Sequence, residues 1–558
     1  MNPDIEEPQD VQSVVNDVIA SHRMSDAQKL DETVAAVISA EADVRFLSET
    51  LESVLTQSVL PGMIIIADCS GATKDTVHAR VPLASIDYAR GMYGSSTRQL
   101  EIQVVQASGA VSFVSSVRIA LSHVNLASSV RSLWLLHDDS RPASSQCLEI
   151  MLEAWRNAPT ASVLGAKQLG WRGDAMHDVG CYATMHHGVN SLVVDGEPDQ
   201  EQYDARQDVF MVDLAGSLMS VRTWHDYSEG VNMGVYAESA DLCRRVCLSG
   251  GRVLVVPQAA VAHRRARLEG MRTGAGAAAK HDERPRSYVG VVDARERYRF
   301  TDISMLAWLP VWLWRFVVSL ALFIGQLTRK RPYEAFCELS APWRVLFWLP
   351  NAIAGRRRVT RQSTVSLRRL SVLVARRDQL SQWRERSSAF ENQRDMPLLS
   401  PLQTAHLASR RRRRWAWSSV MLLLALVGGL AVNHTAVSSL LSGGGAYSST
   451  LVPTGASFSQ LVHAATSTYS YADVMGGYTP PAPFLLVLML ASVLTMGHVS
   501  VAVASMLMLA APCAALSFWA LAGIFTRSNA VRCAAGLLWV AFGGLLGIWS
   551  QGNLPMMV

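Results

Sequence analysis

The feature that most constrains what this chain can fold into is the uneven placement of its apolar residues. Of 558 residues 49% are apolar, yet residues 1 to 300 mix acids and bases as a soluble domain does, whereas 416 to 550 is nearly free of charge and rich in Leu, Ala, Val and Met. A chain this long exceeds a single core, and a charge-poor block of that size points to lipid. The expectation is a soluble head followed by an all-α transmembrane region. Its segments read as a polar N-terminal stretch (1–30), the head (31–300), an apolar region (301–355), an Arg-rich cytoplasmic linker (356–415) and membrane helices (416–558) with an extracytoplasmic loop at 433–482.

Four spans are expected after residue 416: one at Ala416 to Val432, two within the run Pro483 to Phe525, which Gly497 and His498 interrupt, and one at Cys533 to Trp549. At about 1.5 Å rise per residue the run 483–525 is long enough for two helices. Ser304 to Leu327 also has the length, but Arg315, Ser319 and Gln326 share one helical face there. Pro342 to Ala354 is too short to cross. Between Gly355 and Trp415 stand sixteen arginines against four acids, ending in Arg410 to Arg414. The positive-inside tendency puts that stretch in the cytoplasm, so residues 304–354 should cross an even number of times, as a hairpin or as two helices lying in the interface. Arginines next to a span point to anionic membrane lipids rather than to nucleic acid as the partner. The segment 433–482 contains one acid, Asp473, and no Lys or Arg, as an outer loop should.

Eight cysteines show no CxxC pair and no metal-finger spacing, which argues against a zinc module or a disulfide framework. The acidic start MNPDIEEPQD lacks a basic, apolar signal segment. Together these place the head in the cytoplasm beneath a multi-pass protein of the plasma membrane.

Within the head, strand-length apolar runs alternate with amphipathic helical stretches from 33 to 265, the pattern of an α/β fold with a mostly parallel sheet. Strands are expected at 34–39, 63–67, 102–106, 132–136, 161–165, 209–214 and 252–256. Ligands bind outside the carboxyl ends of such strands, and there the sequence sets Glu41, Asp43, Asp68, Asp138 and Asp139, with His263 beyond the last strand. The segment WLLHDDSRP (134–142) is the most pointed: a buried strand runs into two adjacent carboxylates, hard oxygen ligands suited to Mg²⁺ or Mn²⁺ bridging to a phosphate. Asp-Asp-Ser before Pro is also good turn and helix-capping chemistry, with ASSQCLEIMLEAW a plausible helix after it.

The series VAAVISAEA, IIIADCSG, SVRIALSHV, WLLHDDSRP, DQEQYDARQDV, ESADLCRR and GGRVLVVPQAAVAH resembles, in order and spacing, the family 2 glycosyltransferases of GT-A (Rossmann-like) fold, above all the large membrane-bound actinobacterial members. Residues 33–265 carry the resemblance, and LVPTGASFSQLVHAATSTYSYADVMGGYTPPAPFLLVLML resembles their outer loop and following helix. Members often continue through more helices, so the chain reads as a shortened form. The resemblance implies a nucleotide-sugar donor, with Asp68 contacting base or ribose, Asp138 and Asp139 at the diphosphate, and Asp139 with His263 as ligands of a divalent cation. His137 stands where the family motif has its first acid. Asp199, Gln200, Gln202 and Gly216 fall in the region that lines the acceptor pocket. The family's base belongs to an acidic run before a helix; here that run reads Glu238, Ser239, Ala240, Asp241, and the usual aspartate falls on Ser239. A serine hydroxyl is no base at neutral pH, so Glu238 or Asp241 would serve, with Glu238 favoured.

Three functions follow for comparison. The first is an inverting, metal-dependent glycosyltransferase acting on a lipid-linked or polysaccharide acceptor in envelope glycan synthesis. The second is a catalytically silent GT-A domain that binds a nucleotide sugar as a sensor or scaffold. The third, a carrier, fits least, because the expected spans keep no ionisable residue except His498.

Overall fold

A computed structural model describes residues 10–22, 28–73, 75–82, 85–87, 92–94, 99–279, 287–367, 369–395, 401–448, 451, 455–470, 477–478 and 482–557. Residues 1–9 and 23–27 of the polar N-terminal stretch lie outside these, as do 449–450, 452–454, 471–476 and 479–481 of the expected outer loop. The chain divides into two units, Met1–Asp395 and Met396–Val558.

The first unit is built on one mixed sheet. Its strands are β1 (Lys29–Ala40), β2 (Val59–Asp68), β3 (Val77–Pro82), β4 (Gln99–Gln106), β5 (Ser132–His137), β6 (Ser140–Pro142), β7 (Ala161–Leu169) and β8 (Met176–Asp178). A separate hairpin, β9 (Tyr182–Thr184) and β10 (Gly188–Asn190), follows, and then β11 (Ser217–Ser220) and β12 (Arg252–His263) complete the sheet. The order across it is β3-β4-β2-β1-β5-β11-β7-β12-β6, with β8 paired to β7. The β4-β2-β1-β5 block is parallel, and so is β7 with β12. Antiparallel β11 joins the two blocks.

Six of the seven expected strands lie inside observed ones; 209–214 does not. That stretch is extended but makes only isolated bridges, Asp208 to Leu254 and Met211 to Cys181. Val209, Phe210, Val212 and Leu214 are all buried, because the segment runs as a layer against the sheet: a Cβ on Gly165 would lie 2.2 Å from Val212. The strand that enters the sheet here is the short β11, whose SLMS sequence offers no apolar run.

Helices α1 (Val11–Ser21), α2 (Leu47–Leu55), α3 (Phe113–His123), α4 (Cys147–Asn157), α5 (Val221–Tyr227) and α6 (Glu238–Leu248) accompany the sheet. The α1 helix buries Val11, Val14, Val15 and Val18, a 3- and 4-residue spacing that gives it one apolar face. The unit continues through α7 (Ser287–Asp302), α8 (Trp308–Thr328), α9 (Pro332–Gln362) and α10 (Arg377–Asp395). The Arg-rich stretch is therefore folded onto the head as far as residue 395. Ala375 N–H donates to Ala183 O on β9, Trp383 Nε1 to Val193 O and Arg386 to Leu192 O, both at 2.8 Å.

The second unit holds α11 (Pro401–Val432), α12 (His434–Leu441), α13 (Phe458–Thr466), α14 (Phe484–Leu494), α15 (Val499–Phe525) and α16 (Asn529–Leu545). Among the described residues, three helices are long and apolar enough to cross a membrane: 305–328, 405–432 and 499–525. Of the four spans expected after 416, two thus have the length. α14 has 11 residues and α16 has 17, about 16 and 25 Å at the helical rise. Met421, Ala425, Ala515 and Cys533 pack together, and Gly536 lets the helices close, since a Cβ there would lie 2.6 Å from Met421 Sδ.

Candidate active site

The site forms because β5 and β12 lie in different blocks of the sheet and a tight turn after β5 leads into β6, which pairs with β12. β5 ends beside β1, Ser39 pairing with His137. Asp138 and Asp139 then turn the chain into β6, which pairs antiparallel with β12 so that Ser140 stands opposite His263. Ser140 closes the turn, accepting from His137 N–H at 2.9 Å and donating to His137 O at 2.8 Å. Arg264 N–H donates to Asp139 O at 2.9 Å. The backbone, not side-chain chance, thus sets Asp139 against His263.

The two adjacent aspartates have different surroundings. Asp138 is fully buried. Arg272 grips both its oxygens, at 2.7 and 2.9 Å, and Glu41 N–H donates to Oδ2 at 2.9 Å. Arg272 also reaches Asp43. This is a buried bidentate lock, and it removes Asp138 and Asp43 from the ligand-facing set. Asp139 accepts Ala266 N–H on Oδ2 at 2.7 Å. Its Oδ1 faces two imidazoles, His137 Nδ1 at 2.6 Å and His263 Nε2 at 3.2 Å. Burial works against charge on Asp139, but His137 and His263 overcome it and hold the carboxyl well below its usual range. For His137, too, burial opposes the charge and Asp139 and Asp138 prevail, raising the imidazole well above its ordinary value. Glu41, 3.0 Å from His137 Nε2 and 2.8 Å from Arg267, is held at about 2 in spite of burial by the His137 hydrogen bond and by the charges of His137 and Arg267.

Asp139 and His263 could hold a cation between them. Two cis ligands at about 2.1 Å on an octahedral ion stand about 3 Å apart, close to the 3.2 Å between Asp139 Oδ1 and His263 Nε2. Carboxylate plus imidazole suits Mn²⁺ as well as Mg²⁺. His137, Asp138 and Asp139 also present ligand atoms within 4.8 Å of one another, though Asp138 is already committed to Arg272.

These residues open on a cavity of about 220 Å³, lined among others by Glu41, His137, Asp139, Asp213, Glu238 and His263. Glu238, at the first turn of α6, also lines a second cavity of about 220 Å³ with Ser112, Ser115, Arg118 and Asn232. Its carboxylate accepts Val114 N–H at the start of α3, 3.1 Å away, and burial raises its pKa. Asp241, one turn on, is bound by Arg244 and by Arg245 Nε at 2.9 Å. Burial disfavours its charge, but Arg245 and Arg244 lower its pKa. It braces the helix rather than reaching the Asp139 cavity.

The remaining residues singled out from sequence lie elsewhere. Asp68 is fully buried and caps its own loop, accepting Ser70 N–H at 2.8 Å and Thr73 N–H at 3.0 Å. Asp199 pairs with Lys167 at 3.0 Å, and Gln202 accepts Gln200 N–H at 2.7 Å; none of the three lines the cavity. Gly216 adopts φ +87°, and a Cβ there would lie 2.6 Å from Val261, so its close approach is to β12. Asp213 was not anticipated. It accepts Ser239 Oγ–H at 3.2 Å and lies 3.9 Å from His263 Nδ1, so Ser239 holds a carboxylate at the cavity wall. Asp213 sits in the misread stretch 209–214, and the one available signal was an acid inside an otherwise apolar run.

No protein-family description and no curated protein sequence matches the chain. Among solved structures it resembles GalNAc-T7 with UDP, GalNAc and Mn²⁺, at 12% identity over 42% of this chain and 44% of that one, TM-score 0.27. It likewise resembles TarS 1-349 of S. aureus in complex with UDP-GlcNAc, at 12% identity over 48% and 66%, TM-score 0.27. A third is the mannosyltransferase PcManGT of Pyrobaculum calidifontis in complex with GDP-Man and Mn²⁺, at 10% identity over 60% and 94%, TM-score 0.28. The chain spans less than two thirds of the length of the first two.

Proposed function

We propose that the first unit is a family 2-like glycosyltransferase domain of GT-A type, tethered to the cytoplasmic face of the plasma membrane. It would transfer a sugar with inversion from a nucleotide-sugar donor to a lipid-linked or polysaccharide acceptor of the cell envelope. The observation that carries this reading is the Asp139–His263 pair facing Glu238 across one cavity at the carboxyl ends of the strands. A cation bound there supplies charge for the departing nucleoside diphosphate. Arg267 and His137, on the same wall, add fixed positive charge. Glu238, common to both cavities, takes the proton of the acceptor hydroxyl, and its raised pKa suits that task. The second cavity then receives the acceptor.

Ser239 supports the second reading, a silent nucleotide-sugar binder, because it leaves the customary position of the base without a carboxylate. Transfer or hydrolysis of a labelled nucleotide sugar by the full chain separates the two. The proposal expects turnover that falls on the order of 10²–10⁴-fold in Glu238→Gln while donor affinity persists. Donor binding with no turnover in the parent chain means the silent domain.

A further inference from the structure

The helices α8 and α9 form a hairpin whose two sides differ. On α8, Leu309, Leu313, Val317, Leu320, Ile324 and Leu327 are exposed at successive spacings of three and four, a single apolar stripe. On α9, Phe336, Trp343 and Phe347 are exposed likewise. The opposite side is polar and engaged with the head: Arg315 donates to Glu296 of α7 at 2.7 Å, Arg295 of α7 to Glu338 of α9 at 2.9 Å, and Arg344 to Asp293 of α7 at 2.7 Å.

This arrangement decides between crossing and lying flat. Arg315 is near the middle of the apolar helix 305–328. Were α8 to span, the Arg315–Glu296 pair would stand near the bilayer midplane. It would draw in α7, which also carries Asp293, Arg295, Arg297 and Arg299, each of them costly in hydrocarbon. With α7 in water and α8 and α9 packed along it, only the outer stripe can meet lipid. The hairpin turn is Arg329, Lys330 and Arg331, all exposed, and Arg357 and Arg361 are exposed at the far end of α9. Basic residues at both ends of an apolar, Trp-bearing face match anionic headgroups over acyl chains.

We infer that the outer face of the α8–α9 hairpin is a membrane-interface surface that seats the head flat on an anionic leaflet, without α8 crossing it. The surface does not depend on the sugar-transfer reading. It predicts where labels sit when the full chain is placed in lipid nanodiscs with single nitroxides at positions 309, 313, 320, 324 and 347, the parent chain's own cysteine signal subtracted. All five should report one shallow depth, about 5–10 Å below the headgroups, and Lys330→Glu should make them shallower in anionic but not in zwitterionic discs. Depth that passes through the midplane from 309 to 324 would establish a crossing and overturn the inference. So would labels immobilised without lipid contact, since protein would then cover the face, or a Lys330→Glu effect equal in both lipids.

Discussion

Asp241 shows how a residue at a motif position can be engaged in buried ion pairs. Its carboxylate is a counter-charge for Arg244 and Arg245, both almost fully buried, so Asp241→Asn should cost about 3 kcal/mol by leaving Arg245 without its carboxylate and Arg244 with Asp302 alone, 3.7 Å away. A thermal melt checks this; an unchanged melting temperature with lost activity would return Asp241 to the chemistry. Asp178 gives a pH signature. Burial raises its pKa to about 6, and its Oδ1 has no partner, so folding favours the neutral acid relative to the unfolded chain. A carboxyl raised above its unfolded value of 3.8 gives stability that is full below that value and lost as pH rises through about 6. Asp178→Asn should flatten this part of the stability profile between pH 4 and 7, and denaturant titrations across that range measure it. The family resemblance brought Asp139, His263 and Glu238 forward, and all three line one cavity. The sequence hid the commitment of Asp138, since the partner, Arg272, lies 134 residues away in a loop with no periodic signal, and it hid Asp213 inside an apolar run.

At the scale of elements, periodicity located six strands because each buries a run of apolar residues in the sheet. It failed at 209–214 because a layer packed on the sheet is as apolar as a strand within it. The turn into β11 is where this choice is enforced. Gly216→Ala must place a Cβ 2.6 Å from Val261 at φ +87°, so a loss of about 1–3 kcal/mol is expected, read by chemical denaturation; a neutral substitution would mean that the β11–β12 approach is looser than described. Charge count read 356–415 as an Arg-rich cytoplasmic linker, with no sign of where it docks. What charge counting omits is Trp383, whose indole N–H donates to Val193 O. Trp383→Ala should therefore speed proteolysis within 377–395 relative to the parent chain, and equal cleavage rates would contradict docking of α10.

On the scale of the whole molecule, the break in composition near residue 400 was plain in the sequence, and among the described residues two helices after it are long and apolar enough to cross a membrane. The number of crossings was less legible, because hydropathy counts apolar residues without regard to whether a helix turns a polar side to a neighbour, as α8 does to α7. The proposed function turns on a divalent cation that Asp139 and His263 would hold against the donor diphosphate. Calorimetric titration of the full chain with UDP- and GDP-sugars, with and without Mn²⁺, tests it most directly. Binding of at least one donor should require Mn²⁺ and weaken by about tenfold or more in Asp139→Asn. Donor binding of equal strength with and without Mn²⁺, or unchanged by Asp139→Asn, would contradict it.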